Sequence, residues 1–463
     1  MSVAIEPDLY EFRGGYPTQE TVERAYDDAD LTRAIAAYKF FYPTVSGLAI
    51  FRGSYATGLA DNRIAGTLAG QPKHVGFTYN SDTPYGPVLL NLKEGPFIVE
   101  IPAGPLIVVA LDANQRWVGD MGIPGPDGGK GGKYIILPPG YTGEVPAGCY
   151  PCQSTSYHVI VGIRSLPLGG DVEAAMERIK TVGVRPLSPP PDWAGITWYD
   201  QTPRPQDTTP LAYETSLGFW EHLHSLIDDD YPYEGYRGYY GELAVLGIAK
   251  GQPFAPDERM KHILENAARI ANAQLRVQSF ADRRPDRVVW PGRQWEWAAL
   301  RFENGDFDMP GYVDLDARDK WFFQAIGASP AMFRRKEGFG SLYWLGDRDD
   351  AGAYLDGGRT YKLTIPQPVP ARLFWSVTVY SALTRAEIQT DQDCAALRSL
   401  FELRDFPESR PIDLYFGPKG PAGKNKPWVK TIPGEGWFTY LRIYGPEAPA
   451  FDGSWKPGDF ERV

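Results

Sequence analysis

Apolar positions near the start of the chain recur with a helical period. Across residues 18–42 they fall at Val22, Ala25, Tyr26, Ala29, Ile35, Tyr38 and Phe41, close to the 3.6-residue spacing of an amphipathic helix. Pro43 lacks an N–H and its ring clashes with the preceding turn, so it predicts the end of that helix. From about Val45 the pattern changes to short runs bounded by Gly or Pro. These are VLLNL (88–92), FIVEI (97–101), LIVVAL (106–111), KYIIL (133–137) and YHVIVGI (157–163). Runs spaced this closely, with few helices between them, predict an antiparallel β-sandwich. The PAGP turn between FIVEI and LIVVAL predicts a hairpin. A short helix is expected over 171–184 with Asp171 as its N-cap, then a proline-rich connector, RPLSPPPDWAG. Helical patterns follow at 213–226, at 256–280 and at 317–329. In the second of these, Asp257 and Glu258 sit in the first turn, where the helix dipole favours acids. The alternation characteristic of strands then returns in TYKLTIP, RLFWSVTVYS, PIDLYFGP and WFTYLRIYGP.

The pattern predicts a mainly β, multidomain chain. Its parts are an N-terminal helical segment (1–44), a β-sandwich (45–170), a helix and Pro-rich connector (171–212), a helical insert (213–281) and a second β-domain (282–463). Composition agrees: 50 Gly and 42 Pro in 463 residues supply many turns. With 47 basic against 58 acidic residues and no long basic run, nucleic acid is not an expected partner. No stretch reads as a membrane span. The segment MSVAIEPDLYEF lacks the basic start and apolar core of a signal peptide. The expected location is cytoplasmic as the sequence stands, and periplasmic or secreted if a leader has been removed. Three cysteines are too few for a disulfide framework. Cys149 and Cys152, in CYPC, precede a strand rather than a helix, so they read as small residues in a loop leading into that strand and not as a redox pair.

Two sets of motifs carry a resemblance. The N-terminal half has NSDTPYG, GPFIVEIP and GPDGGKGGKYIILPPGY. The C-terminal half has YLDGGRTYKLTIPQPVPARLFWSVTVYS, PIDLYFGPKGPAGK and GWFTYLRIYGPEAPAFDGSWKPGD. In this order and spacing the chain resembles a bacterial family whose halves are catalogued as domains of unknown function twelve-fifty-four (N-terminal) and twelve-fourteen (C-terminal). The resemblance implies an immunoglobulin-like sandwich in the N-terminal half, a helical insert and a jelly-roll-like sandwich at the C-terminus. It implies no settled activity. The chain departs from the family pattern at Pro427-Trp428, where Asn-Trp is usual. Many members are exported, and this chain shows no leader.

The candidate chemistry is concentrated in NSDTPYG. Asp and Ser side chains stabilise turns, and Pro84 holds Thr83 extended, so a structural turn is one reading. The other is a site in which Asp82 and Tyr85 form an acid/base pair and Asn80 orients the substrate. GPDGGKGGKY (125–134) lacks the Ser/Thr and the following helix of a P-loop and reads as a hairpin loop. The histidines His74, His158, His222, His224 and His262 have no zinc-site spacing, so no metal is expected. There is no GxSxG elbow. No dinucleotide or haem motif occurs either, so no cofactor is expected. Trp290, Trp295 and Trp297, in WPGRQWEW, are candidate substrate-binding residues bordering a cleft. On the strand YLRIYGP, Arg442 shares a face with Tyr440 and Tyr444 and is expected to be structural, bonding a carboxylate or carbonyls in an interdomain contact.

Two functions fit. One is a cofactor-independent hydrolase or lyase with an interdomain pocket for a small organic or sugar-like substrate. The other is a non-catalytic protein that binds a small-molecule or carbohydrate ligand or assembles, as a homo-oligomer or otherwise.

Overall fold

The computed structural model describes residues 10–301, 307–423 and 426–463. The chain divides into two compact units: Met1–Tyr42 with Pro210–Leu275, and Pro43–Thr209 with Arg276–Val463. Helix takes 27 % of the chain and strand 28 %, so the architecture is multi-sheet with a helical insert rather than mainly β. The principal helices are α1 (Gln19–Ala56), α2 (Val172–Ile179), α3 (Leu217–Asp229), α4 (Arg237–Val245), α5 (Glu258–Phe280) and α6 (Leu315–Gln324).

Helix α1 does not stop at Pro43; it continues to Ala56. The missing proline N–H removes one helical bond. Against that, Phe41, Val45, Ala49 and Phe51 are all buried, and the Pro43 carbonyl accepts the Gln115 amide at 2.8 Å. Burial outweighs propensity here, and the β texture begins after Ala56 instead of at Val45. One window of α1 is also long and apolar enough for a membrane span, contrary to the sequence reading, but 78 % of it is buried within the protein, as in a core helix. The smaller unit is helical. In it, α3 buries Phe219, Trp220, Leu223 and Leu226, and the Tyr38 and Tyr42 hydroxyls both donate to Glu214. In the larger unit, Asp171 caps α2 by accepting the Ala174 N–H at 2.9 Å.

The first half of the larger unit holds strands β1 (Tyr85–Asn91), β2 (Phe97–Ile101), β3 (Leu106–Asp112), β4 (Trp117–Gly122), β5 (Gly132–Leu137), β6 (Cys149–Gln153), β7 (His158–Ser165) and β8 (Gly183–Pro186). They form two four-stranded sheets, ordered β6-β5-β2-β8 and β1-β7-β3-β4. Val99, Tyr134 and Ile136 of the first sheet meet Val88, Val108, Val161 and Ile163 of the second in one core. Two expectations are corrected. FIVEI and LIVVAL do not pair as a hairpin: β2 and β3 lie in different sheets, because the PAGP turn carries the chain from one layer to the other. CYPC is not a loop but part of β6, which runs parallel to β5.

The second half holds β9 (Glu296–Trp297), β10 (Ser341–Gly346), β11 (Tyr361–Ile365), β12 (Ala371–Ser381), β13 (Ala396–Arg398), β14 (Ile412–Gly417), β15 (Trp428–Lys430), β16 (Trp437–Pro446) and β17 (Glu461–Arg462). One sheet is β9-β10-β16-β12-β13 and the other β15-β14-β11-β17. Trp344, Val377, Leu441 and Ile443 from the first pack on Leu363, Leu414 and Phe416 from the second. The opposite face of the five-stranded sheet packs Tyr343, Tyr380, Phe438 and Tyr440 against Trp321 and Phe322 of α6.

Candidate functional site

Strand alternation sets up the site. In β7, Val159, Val161 and Ile163 point into the core, which leaves Ile160, Gly162 and Arg164 on the other face. In β16, Leu441 and Ile443 point into the C-terminal core and Tyr440, Arg442 and Tyr444 point away. These two outward faces line one cavity of about 230 Å3. Its walls are mainly apolar, with Ile107, Val109, Leu111, Ile160, Trp321 and Met332 among them. A water needs roughly 10–15 Å3 by this measure, so the space suits a small organic molecule of about ten to fifteen heavy atoms.

Two guanidiniums lie on the wall. Arg164 donates to Thr83 Oγ1 at 2.7 Å, to Asn80 Oδ1 at 3.1 Å and to the Tyr444 hydroxyl at 3.3 Å. It also sits 4.9 Å from the centre of the Tyr85 ring. Arg442 is 2 % exposed. It donates to the Tyr380 hydroxyl at 2.7 Å and the Thr78 carbonyl at 2.9 Å, while its Nε has no hydrogen-bond partner. Neither arginine makes an ion pair among the described residues. Burial works against both charges, yet the surrounding tyrosines, and Asp82 beside Arg442, hold both guanidinium pKa values above their ordinary range. Cation–π contacts help: Tyr343 and Tyr440 lie 5.2 and 5.0 Å from Arg442.

The segment leading through NSDTPYG is held in place by contacts from the C-terminal half. Thr78 sits at φ 43°, outside the ordinary range for a β-branched residue. Such a conformation costs on the order of 1–3 kcal/mol and persists only when its surroundings hold it. They do so here. The Thr78 N–H donates to the Arg385 carbonyl at 2.8 Å, and its own carbonyl accepts from Arg442 and, at 3.3 Å, from Tyr380. Asn80 Oδ1 accepts the Asp82 N–H in an Asx turn. The Ser81 carbonyl accepts from Arg398 at 2.5 Å. Asp82 Oδ2 accepts from Ser376 at 2.9 Å and from Tyr444 at 3.0 Å. The loop is thus fastened to the C-terminal sheet residue by residue.

The proposed acid/base pair is therefore divided. Asn80 and Tyr85 line the cavity, and Asp82 does not. Asp82 is 1 % exposed and serves hydroxyls of the opposite half. Tyr85 stacks on Tyr79 at 4.2 Å, and burial pushes its phenol pKa up, so at neutral pH it is a neutral hydroxyl. The tryptophans need correction. Trp290 and Trp295 are core residues, 5 % and 1 % exposed. Trp290 lies 4.9 Å from the Trp344 ring, and Trp295 Nε1 donates to the Gly458 carbonyl. Trp297 is partly buried under the Arg335 guanidinium. None of the three lines the cavity, because the apolar interior between the two C-terminal sheets takes up large aromatics. Arg442, read as structural, bonds a carbonyl in the other half of the unit.

Sequence reasoning missed Arg164, Tyr444 and Asp120. The signal was present for the first: Arg164 interrupts an otherwise apolar strand on the same face as a glycine. The loop at 125–134 is organised by Asp127, whose carboxylate accepts from Gly122 N, Gly131 N and the Tyr134 hydroxyl. Among the described residues no group of three or more His, Cys, Asp or Glu converges to hold a metal.

Cys149 and Cys152 lie three residues apart on one strand, so their side chains leave opposite faces and their Cα atoms are roughly 10 Å apart, beyond disulfide reach. Burial and the nearby Asp120 push the Cys152 thiol pKa up to about 12. In native protein at pH 8, Cys152 is expected to resist iodoacetamide until denaturant is added. Peptide mapping that finds it alkylated at the rate of a free thiol would contradict this.

No curated protein matches the chain. Among solved structures, the VPA0106 protein from Vibrio parahaemolyticus aligns at a TM-score of 0.57 and 17 % identity, covering 94 % of this chain and all of that one. At that identity the likeness concerns the fold alone. A putative uncharacterized protein from Burkholderia cenocepacia aligns at a TM-score of 0.41 and 11 % identity, over 95 % of this chain and 96 % of the other, too low to carry an argument. Family models for two proteins of unknown function match here: DUF1254 at residues 63–186 and DUF1214 at residues 340–448. The first holds Asn80, Tyr85 and Arg164 and the second Arg442 and Tyr444, so the cavity draws on both segments, and the chain belongs to the family that pairs an N-terminal DUF1254 domain with a C-terminal DUF1214 domain.

Proposed function

We propose that this protein binds a small organic anion, a carboxylate on an apolar body, in the cavity between its two β-halves. The observation that carries this is the pair of cavity-wall guanidiniums, Arg164 and Arg442, neither of which is ion-paired among the described residues. A buried charge whose only partners are neutral is costly, which is the case of Arg164; Arg442 feels Asp82 without pairing with it, and its Nε is a donor with no hydrogen-bond partner. A ligand carboxylate supplies both the charge and the acceptor. Of the two functional readings, ligand binding has the better support. The catalytic reading needs Asp82 at the reacting atoms, and its Oδ2 is already engaged by Ser376 and Tyr444. We also read the two sheet pairs as an immunoglobulin-like and a jelly-roll-like sandwich, on the support of their face-to-face cores.

Calorimetric titration with octanoate and octanamide tests the function. The acid is expected to bind at least about tenfold tighter than the amide, the range of one charge-assisted bond. Arg164→Met is expected to remove that preference. Equal affinity for acid and amide in the parent protein would refute the anion reading.

A further inference from the structure

We infer that the cavity selects a hydroxy acid, with Asp120 receiving the ligand's hydroxyl at the end of the floor remote from Arg164. This rests on the anion-binding reading and adds the second functional group of the ligand. Asp120 lines the same cavity and is 7 % exposed. One carboxyl oxygen, Oδ2, accepts the Ala331 N–H at 3.3 Å. The other, Oδ1, has no hydrogen-bond partner. A buried acceptor left open on a cavity wall is unfavourable unless something bonds it, and the cavity is where that partner can come from.

Sheet register gives the arrangement. Asp120 of β4 pairs with Val109 of β3, which pairs with Gly162 of β7, two residues before Arg164. Both polar side chains therefore rise from one face of one sheet. Two strand spacings and two residues separate them, on the order of 12 Å between Cα atoms. The apolar side chains of Ile107 and Val109 lie between them and also line the cavity. The floor thus reads as cation, apolar stretch, carboxyl, and the matching ligand is an anion, a short hydrocarbon and a hydrogen-bond donor. A hydroxyl suits this carboxyl better than an ammonium. Burial pushes the Asp120 pKa up to about 7, with Ser329, Ala331 and Arg334 pulling it down. A hydroxyl donates to the ionised form and accepts from the neutral one, whereas an ammonium needs the ionised form.

The test is calorimetric titration of the full chain with straight-chain alkanoates, ω-hydroxyalkanoates and ω-aminoalkanoates of about four to ten carbons. At some length in the series the hydroxy acid is expected to bind at least about tenfold tighter than the alkanoate of equal length. Asp120→Ala is expected to erase that preference, and Asp120→Asn, which keeps an acceptor, to restore most of it. Alkanoates and hydroxy acids binding equally at every length would overturn the Asp120 assignment while leaving the anion site standing. Tighter binding of the amino acids would overturn the choice of hydroxyl. Failure of all three series to bind would overturn both this inference and the anion reading beneath it.

Discussion

Replacing Arg442 with alanine is expected to destabilise the larger unit by about 3 kcal/mol, the worth of its two charge-assisted hydrogen bonds less the guanidinium's own desolvation. The guanidinium joins two segments far apart in sequence, through Thr78 O and Tyr380 Oη. Bonds to a charged donor are worth roughly 1.5–3 kcal/mol each. The substitution also strips a countercharge from buried Asp82 and Glu387, each of which interacts electrostatically with Arg442. Relief of the guanidinium's own desolvation offsets part of this. Arg442→Lys is expected to fall between the two proteins, since a single ammonium keeps the charge but not the two-pronged geometry. Urea unfolding monitored by tryptophan fluorescence checks the order. A midpoint for the alanine variant equal to the parent's would show that Arg442 does not hold the halves together.

The second large effect is a pH dependence. Burial, and then the neighbouring Asp82, push the Glu387 pKa up to about 7, while Arg398, Ser81 and Arg442 pull it down. An unfolded glutamate titrates near 4.3. The folded state therefore keeps a proton that the unfolded state releases as pH climbs from about 4 to 7. Stability from this group is complete below that window and is lost as pH rises through it. Glu387→Gln cannot ionise. It is expected to match the parent near pH 4 and to exceed it by about 3 kcal/mol above pH 7. Asp120 and Asp347, each also raised to about 7 by burial, give slopes of the same sign. The parent's loss should thus be reduced in the variant, not abolished. Thermal melts of both proteins from pH 4 to 8 measure it, and parallel curves would refute the shift at Glu387.

Strand positions were legible wherever one face met a core: FIVEI and LIVVAL are both strands, because alternation and bounding turns are local properties. Their pairing was not, since nothing in PAGP distinguishes a hairpin from a crossing between layers. Pro43 misled for a related reason: its local penalty is fixed, while the burial that outweighs it depends on distant residues such as Gln115. At the site, alternation placed Arg442 beside Tyr440 and Tyr444, and the same rule applied to YHVIVGIRS would have singled out Arg164. The tryptophans of WPGRQWEW drew attention by density, but density does not tell a core from a cleft. Asp120 carried no local mark, because its open oxygen exists only once β3, β4 and Ala331 are assembled around it.

The left-handed turn at Thr78, clasped by Arg385, Tyr380 and Arg442, bears on how such chains can be dissected. A gene fragment encoding either half alone would retain its own inner core and could behave well on a column. It would nonetheless carry only one wall of the cavity, and the N-terminal piece would have no reason to keep Thr78 at φ 43°. Screening separately expressed halves against metabolite libraries would then return silence from both, and that silence would come from the cut rather than from the protein.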